Sequence, residues 1–315
     1  MGQAFSESFP PKATWLSKDM PDMTGKVAIV TGGNSGIGKV TIKYLLLKNC
    51  VVYLLCCSAS KAEAAIAEAA IADLKAATGK VPVFIQCDLA DLHSIRASAT
   101  EFLAKAQRLD VLFNNAGSMT TPMDWLTKQG YDMQFGTNVL GTGYLTMLLL
   151  PLIQATAKSY GGARIVTLSS NAQDGAPKGG IDFSTLKDGP ERGMKLTHWT
   201  AYMQSKWADA CLSKELSRRY GKDGVVCTAL NPGIIRTDLA RNLNFIAWFS
   251  NTIGHDADPL GAVTQLYAGT APEAASLNGQ YLIPWARVGK ARADTEDPVT
   301  GKALWEWIEE QGKTV

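Results

Sequence analysis

A tyrosine and a lysine four residues apart form the most informative pair in this sequence. Tyr202 and Lys206 have this spacing, and so do Tyr44 and Lys48. Residues i and i+4 stack on one face of a helix, so the ammonium can reach a ligand beside the phenol and favour the phenol's anion. Such a phenol can exchange a proton with a reacting oxygen. Tyr44 lies in an apolar run without a serine partner, and we interpret that pair as packing.

A glycine-rich turn lies upstream of Tyr202 and directly follows the first predicted strand. Gly32, Gly36 and Gly38 stand where that strand passes into a helix. Bare backbone there lets a diphosphate approach, and a helix N-terminus adds N–H donors and partial positive charge. A glycine turn alone can also be a simple tight connection. Together with the Tyr202 pair, it predicts a dinucleotide site.

Further turns follow other predicted strands. Asp88 can accept a hydrogen bond from an adenine amino group, or it can cap the next helix. The Asn-Asn-Ala-Gly segment 114–117 predicts a wall beside a ribose, although it also fits an ordinary turn. Pro232-Gly233 ends the sixth strand, and Thr237 can bind a carboxamide or a phosphate. The predicted cofactor contacts are Gly32, Asn34, Ser35, Gly36, Ile37, Gly38, Cys57, Asp88, Leu89, Asn115, Ala116, Gly117, Tyr202, Lys206, Pro232, Gly233, Ile235 and Thr237.

Strands and helices alternate along the chain. Apolar runs predict strands at 26–31, 51–56, 81–86, 111–113, 164–168, 225–230 and 280–283. Helical spacing predicts helices at 40–48, 61–78, 91–108, 138–158 and 198–220. This alternation requires right-handed crossovers, so we predict an α/β fold: a single-domain, Rossmann-type, doubly wound parallel sheet of about seven strands flanked by helices. Ligands of such sheets lie at the carboxyl ends of the strands, where these motifs fall.

The chain is predicted to have one main domain with additions at each end. The parts are an N-terminal extension at 1–24, a dinucleotide-binding and catalytic domain at 25–290, and a C-terminal helical tail at 291–315. Two segments without clear periodicity, 171–199 and 234–258, are predicted to lie on the substrate side. In the second, apolar walls can come from Phe245, Trp248 and Phe249. These aromatic side chains predict a hydrophobic substrate.

Composition limits the kinds of partner. The 315 residues carry a formal net charge of +2 without a basic block, so nucleic acid is not an expected partner. The six cysteines lie mostly in apolar runs, which is typical of buried thiols in a reducing compartment. The three histidines lack the spacing of metal ligands, so we expect no metal site.

Two segments of the sequence bear on contact with a membrane. The longest apolar stretch, 139–153, is interrupted by glycine and threonine and is short for a bilayer, so we predict a buried helix. The start Met-Gly-Gln-Ala-Phe-Ser matches the myristoylation pattern at Gly2, although a single acyl chain binds membranes only marginally. It has no charged-then-apolar signal pattern. We expect a cytoplasmic protein, with peripheral membrane association through Gly2 as the alternative.

The motifs, taken in order, resemble the short-chain dehydrogenase/reductase family over about residues 25–284. The matching features are Thr-Gly-x-x-x-Gly-x-Gly at 31–38, Asn-Asn-Ala-Gly at 114–117, Asn138, Ser169-Ser170, Tyr202-x-x-x-Lys206 and Pro232-Gly233. Segment 134–138 and the long separation between Ser170 and Tyr202 are similar to the branch with retinol dehydrogenases, WW-domain oxidoreductases and protochlorophyllide reductases.

The resemblance implies a role for each of four catalytic residues. Ser170 would hydrogen-bond the substrate oxygen, and Tyr202 would donate or accept the proton. Lys206 would bind the nicotinamide ribose and lower the pKa of Tyr202, and Asn138 would anchor a water that relays protons. Other interpretations stay open, since a serine pair can form a turn and Asn138 can cap a helix.

Cofactor choice depends on the residues after the second strand. Relatives that prefer NADP usually carry an arginine there and those that prefer NAD an aspartate, whereas this chain has Cys56 and Cys57. Without a carboxylate to repel a 2′-phosphate, we predict NADP as the preferred cofactor, with NAD as the alternative. Lys39 or Lys61 could pair with that phosphate.

The predicted function is an NAD(P)-dependent alcohol dehydrogenase or carbonyl reductase acting on a hydrophobic or aromatic alcohol, aldehyde or ketone. The alternative from another class is a non-catalytic dinucleotide sensor or scaffold with the same fold. A third interpretation uses the same Tyr/Lys pair for epimerisation or dehydration. The resemblance also implies a homodimer paired through the long central helix.

Overall fold

Short, almost fully buried strands build the centre of the molecule. The computed structural model describes residues 2–57, 60–236 and 254–315. The strands are β1 (Val27–Thr31), β2 (Val51–Cys56), β3 (Val83–Gln86), β4 (Val111–Asn114), β5 (Ala163–Leu168), β6 (Val225–Leu230), β7 (Ile235–Arg236), β8 (His255–Asp256), β9 (Tyr281–Ile283) and β10 (Arg287–Gly289). β1, β4, β5 and β6 consist almost entirely of buried residues, as expected of strands covered on both faces.

Within the described residues, the main sheet has eight strands in the order β10-β9-β6-β5-β4-β1-β2-β3, and β7 and β8 form a separate pair. All neighbours in the main sheet run parallel except β9 and β10, which are antiparallel. The strand order reverses between β1 and β4, so their carboxyl ends open a crevice. The predicted doubly wound fold is confirmed, and the strand beyond the predicted seven is the edge strand β10.

Helices cover both faces of the sheet. In the part of the chain that the structure describes, they are α1 (Gly2–Ser8), α2 (Gly36–Leu47), α3 (Lys61–Thr78), α4 (Leu92–Lys105), α5 (Met133–Phe135), α6 (Thr142–Tyr160), α7 (Pro190–Lys195), α8 (His198–Tyr220), α9 (Ala262–Thr270) and α10 (Pro298–Gly312). One buried cluster, with Phe102, Leu149 and Trp305, packs α4, α6, α8 and α10 on one face. A second, with Leu45, Val263 and Leu266, packs α2 and α9 on the other.

The long central helix begins earlier than its sequence predicts. It runs from Met133 to Tyr160, with a π-helical segment at Gly136–Gly141 between α5 and α6. A Cβ on Gly141 would lie 2.2 Å from the Leu89 carbonyl oxygen, so the close approach requires glycine. By length and composition the helix could span a membrane, but 67% of its most apolar window is buried inside the protein.

Both chain ends pack against the sheet edge or the core. In α1, Gln3 exchanges two hydrogen bonds with the Lys290 backbone, at 2.7 and 3.0 Å. Arg287 on β10 donates to the Ser6 carbonyl at 2.8 Å. At the other end, α10 buries Leu304 and Trp305. The extension at 1–24 therefore contains a docked helix, which its polar and proline-bearing sequence does not reveal.

Candidate active site

The glycine turn after β1 is a closely packed cradle. Gly32 has φ +65°, and a Cβ there would lie 3.0 Å from Ala116 Cα. A Cβ on Gly38 would lie 2.3 Å from the Gly32 carbonyl oxygen and 2.6 Å from Asn115 Nδ2. Since any side chain would push the turn and the β4 loop apart, the backbone geometry requires glycine at Gly38. The turn carries the chain directly into the N-terminus of α2 at Gly36.

The N-terminus of α2 fits the diphosphate of a dinucleotide. Ser35 is the N-cap residue, and among the described residues its side chain makes no capping hydrogen bond. The first N–H groups of a helix lack intrahelical partners, so backbone donors there can bind an anion. Asn34 and Ile37 are half-buried beside the same turn, and Ser35 is exposed.

The loop after β4 is tied to the end of β1. Asn115 Nδ2 donates to the Thr31 carbonyl at 2.8 Å, and the backbone N–H groups of Asn115 and Ala116 donate to Thr31 Oγ1 at 3.0 and 2.9 Å. Asn115 therefore holds the two strand ends together, a role that the interpretation as a ribose wall did not include. Gly117 follows, and a Cβ on it would lie 3.1 Å from Asn138 Oδ1 and 3.6 Å from Lys206 Nζ.

The far side of the crevice is formed by the ends of β2 and β3. Cys57 follows β2 and is half-buried. Asp88 Oδ1 accepts from the Ala90 N–H at 2.9 Å, while α4 is capped by Asp91. Asp88 is therefore not the cap of α4, and the interpretation as a cap is wrong. The second carboxylate oxygen of Asp88, Oδ2, is not used by that turn. Leu89 is buried, with its carbonyl against the central helix.

The turn after β6 borders the other end of the crevice. Gly233 has φ +90°, and its N–H donates to Asn231 Oδ1 at 3.0 Å. Pro232 precedes it, and a Cβ on Gly233 would lie 3.0 Å from Pro284. Ile235 pairs with His255 in the small β7–β8 sheet and is buried. Thr237 and the aromatic segment at 245–249 lie outside the described residues.

Helix α8 carries the central pair of side chains. It begins with a reciprocal cap in which Thr197 and Thr200 bond each other's backbone N–H groups. One turn later, Tyr202 and Lys206 are only 6% and 5% exposed, and Lys206 Nζ lies 6.0 Å from the centre of the Tyr202 ring. The shared helix face that their spacing predicts is confirmed. It points toward the end of β5, where the Leu168 carbonyl accepts from Lys206 Nζ at 2.8 Å.

Ser170 and Tyr202 are brought together across the gap between β5 and α8. The Ser170 side chain interacts with the phenol and acts to lower the phenol's pKa. Its Oγ also lies 3.2 Å from Asn171 Oδ1 and accepts from the Ala172 N–H at 3.1 Å. Ser169, by contrast, is buried and donates to the Lys206 carbonyl at 2.6 Å, so it anchors α8.

The net pKa of Tyr202 is raised, although Lys206 acts to lower it, as the sequence suggested. Burial is the largest cause, and it outweighs the lowering effects of Lys206 and Ser170. The nearby Asp209 carboxylate raises the pKa further. In the protein alone, Tyr202 therefore holds its proton at neutral pH.

Asn138 lies in the π-helical segment of the central helix. Its Oδ1 accepts from the Ser118 N–H at 2.7 Å, and its Nδ2 donates to the Ser118 carbonyl at 3.0 Å and to Ser205 Oγ at 2.9 Å. These bonds hold the loop after Gly117 against α8. The helix-cap alternative is wrong, because Asn138 lies inside the helix and the N-cap of α5 is Asp132.

Sequence reasoning missed two acidic residues beside this site. Asp209 pairs with Lys206 Nζ at 2.8 Å and is buried; an acidic residue at i+3 on the same helix was the available signal. Glu7 on α1 is buried, and its Oε2 accepts from Asn231 Nδ2 at 2.7 Å, just before Pro232. No local pattern indicates that long-range contact.

Two expectations about charged or metal-binding side chains can be compared with the structure. Lys39 forms an ion pair with Asp73 on α3, so its ammonium already has a partner. Lys61 is exposed at the start of α3. Across the described ranges, no group of three His, Cys, Asp or Glu side chains is arranged to hold a metal ion.

The chain belongs to the short-chain dehydrogenase/reductase family. The family model for short chain dehydrogenases matches residues 26–245. A short-chain dehydrogenase/reductase of Armillaria gallica is 50% identical over 317 residues, covering 99% of each chain. Another, from Emericella nidulans, is 39% identical and covers 97% of this chain and 98% of its own. Family membership makes the protein an oxidoreductase.

Two solved structures share the architecture. An uncharacterised protein from Mycobacterium paratuberculosis is 27% identical with a TM-score of 0.73, covering 96% of this chain and 98% of its own. A short chain dehydrogenase from Burkholderia cenocepacia, solved in complex with NADP, is 25% identical with a TM-score of 0.62. That alignment covers 84% of this chain and 98% of the bacterial one.

Proposed function

We propose that this protein is an NAD(P)-dependent carbonyl reductase or alcohol dehydrogenase. The observation that carries the proposal is the buried Tyr202 phenol, flanked by Ser170 and Lys206 at the carboxyl end of β5. The loop after β4 links this group to the glycine cradle, since a Cβ on Gly32 would lie 3.0 Å from Ala116 and one on Gly117 would lie 3.6 Å from Lys206 Nζ. When bound, the nicotinamide dinucleotide supplies or accepts the hydride.

The chain's own residues manage the proton. Tyr202 donates its phenolic proton to the carbonyl oxygen during reduction, or accepts the alcohol proton in the reverse direction. Ser170 hydrogen-bonds the same substrate oxygen and orients it toward the phenol. The Lys206 ammonium donates one N–H to the Leu168 carbonyl and one to the Asp209 carboxylate. Its third N–H is left for the nicotinamide ribose. Asn138 holds this wall in place and anchors a relay water.

NADP is the proposed preferred cofactor. The Burkholderia relative's complex with NADP supports it, as does the absence of a carboxylate at Cys56 and Cys57. Since Lys39 is paired with Asp73, Lys61 is the better candidate to meet a 2′-phosphate. The remaining contacts with the dinucleotide are proposed as predicted from the sequence, Thr237 included.

The substrate is proposed to be a hydrophobic or aromatic carbonyl compound or alcohol. Trp199 supports this, since its ring lies 6.1 Å from that of Tyr202, edge to face. A cytoplasmic location, a homodimer, and the branch with the retinol dehydrogenases are proposed on the sequence arguments above. N-myristoylation of Gly2 is the alternative for membrane contact, and Phe5 on α1 and Phe9 directly after α1 are both exposed.

The test is a comparison of NADPH and NADH binding by calorimetry, followed by turnover of an aldehyde and ketone panel. We expect tighter binding of NADPH and oxidation of the cofactor by apolar carbonyl compounds. Dinucleotide binding without turnover of any compound would favour the sensor or scaffold. Product formed without net cofactor oxidation would indicate epimerisation or dehydration instead.

A further inference from the structure

A buried carboxylate lies against the ammonium of Lys206. Asp209 Oδ2 accepts from Lys206 Nζ at 2.8 Å, and the side chains of the pair are only 6% (Lys206) and 2% (Asp209) exposed. Asp209 Oδ1 is buried as well, without a hydrogen-bond partner among the described residues. Charges in such an interior are weakly screened, so this carboxylate acts on its neighbours more strongly than a surface one.

Asp209 and Lys206 act on the Tyr202 phenol in opposite directions. The Lys206 ammonium lies 6.0 Å from the centre of the Tyr202 ring and donates to the Asp209 carboxylate at 2.8 Å. Lys206 acts to lower the pKa of Tyr202, and Asp209 acts to raise it. The carboxylate therefore offsets part of the effect that the lysine has on the phenol.

We propose that Asp209 is a positioning residue that holds the Lys206 ammonium against the Leu168 carbonyl and keeps the Tyr202 phenol protonated up to a more alkaline pH. The inference rests on the proposed function and concerns the proton that Tyr202 transfers. In reduction, the O–H bond of Tyr202 breaks and the carbonyl oxygen takes the proton, while the carbonyl carbon takes the hydride. The phenolate then regains a proton from solvent.

Other titratable groups near Tyr202 come from elements packed around it. Tyr281 on β9 interacts with Tyr202, and its own surroundings include Glu7 from α1 and Asp174 from the turn after β5. None of these groups is bonded to Lys206, whose two side-chain hydrogen bonds within the described chain go to Leu168 and Asp209. A substitution at Asp209 therefore changes the charge next to Lys206 and leaves the surrounding groups in place.

The experiment uses Asp209→Asn, which keeps the shape and an acceptor oxygen while removing the charge. We expect the alkaline limb of carbonyl reduction and the acidic limb of alcohol oxidation to move together to lower pH. The matched control is Glu215→Gln on the same helix, where Glu215 is also buried and bonded to Arg218 and Arg219. Glu215 is 13 residues beyond Tyr202, ~20 Å along the axis, so its loss should leave both limbs unchanged.

A second readout needs neither turnover nor cofactor. The ultraviolet absorbance of tyrosinate is measured against pH in each protein. Subtracting the curve of the same protein with Tyr202→Phe leaves the signal of the Tyr202 phenol. In Asp209→Asn this phenol should ionise at lower pH than in the unmodified protein. If no carbonyl compound is reduced, the proposed function fails and the titration still decides the role of Asp209.

Stability is followed in parallel by thermal unfolding. If Asp209→Asn does not fold, Asp209→Ser serves instead, because it also removes the charge and leaves a hydroxyl acceptor for Lys206. A titration of Tyr202 that is unchanged in a folded Asp209 variant would overturn the proposal. So would an equal shift in Glu215→Gln.

Discussion

The two Tyr-x-x-x-Lys pairs share a spacing and differ in their surroundings. Tyr44 lies on α2, half-buried, and its hydroxyl donates to Asp258 Oδ1 at 2.6 Å. Lys48 follows the end of α2 and donates to the Lys18 carbonyl at 3.1 Å. Tyr202 and Lys206, by contrast, are buried within α8 beside the end of β5.

The difference shows what the spacing alone does not determine. An i+4 spacing places two side chains on one face, but their neighbours decide whether the phenol can exchange its proton. The Tyr44 hydroxyl already donates to a carboxylate, and burial and that bond raise its pKa. The Tyr202 hydroxyl meets a serine instead, and an ammonium lies near its ring. We expect proton exchange at the second pair.

The largest expected effect comes from removing each phenolic oxygen. Tyr202→Phe should lower kcat for carbonyl reduction by about 10²–10⁴-fold, the usual contribution of a positioned acid or base. Tyr44→Phe should leave kcat nearly unchanged, because it loses hydrogen bonds to Asp258 and Ser17 at a half-buried position. Cofactor affinity, measured by calorimetry, should be retained in both. Similar losses of kcat in the two variants would remove the distinction between the pairs.

Removing each ammonium should affect stability unequally. Lys206→Met leaves the buried Asp209 carboxylate unpaired, which should cost about 3–5 kcal/mol in the free energy of unfolding. Lys48→Met loses one hydrogen bond to a carbonyl, worth about 1 kcal/mol. Denaturant unfolding measures both. The cost in Lys206→Met should shrink at acid pH, where Asp209 can take up a proton; a pH-independent cost would contradict the buried-charge explanation.

The crevice on which the comparison depends can be tested at Gly38, which shares α2 with Tyr44. Gly38→Ala forces a methyl group against the Gly32 carbonyl oxygen, an overpacking cost of about 1–3 kcal/mol. A loss of that size in binding free energy should weaken NADPH binding by ~5- to 150-fold. Gly193→Ala is the matched control, because a Cβ at this exposed position on α7 meets nothing within 4 Å. Unchanged NADPH binding in Gly38→Ala would show that the cradle does not hold the cofactor.

Sequence reasoning predicted the sheet and the side chains that share a helix or a strand end. The apolar run of β1 and the glycines after it depend on neighbours in the chain, so their positions follow from local pattern. The contact between Glu7 and Asn231 joins residues that are 224 positions apart, and no local periodicity specifies it. Asp209 lay within reach of sequence reasoning, since i+3 spacing places it beside Lys206.

The net effect of burial on Tyr202 was not predictable from the sequence. The lowering effect of Lys206 follows from spacing, but the size of the opposing desolvation depends on how tightly the surrounding elements enclose the phenol. Groups that interact with it come from distant segments, such as Tyr281 on β9. Tertiary packing thus reversed the direction that the pair alone suggested.

The smallest expected effect concerns the carboxylate beside each pair. The pKa of Asp258 is lowered, because hydrogen bonds from Lys43 and Tyr44 outweigh burial. Burial raises the pKa of Asp209 from 3.8 to about 6 despite Lys206. Asp258 should therefore stabilise the fold at neutral pH, by ~1 kcal/mol or less at this half-exposed site, and that contribution should be lost as pH falls through its lowered pKa.

Asp209 should show the opposite dependence. Its folded-state pKa exceeds the unfolded one, so the folded protein binds more protons between about pH 4 and 6, and its contribution to stability declines as pH rises through that window. Unfolding free energies of Asp258→Asn and Asp209→Asn, measured against the unmodified protein from pH 4 to 7, give the two slopes. Slopes of the same sign would mean that the two carboxylates have similar environments. The two Tyr-x-x-x-Lys pairs would then not differ in the charged groups beside them.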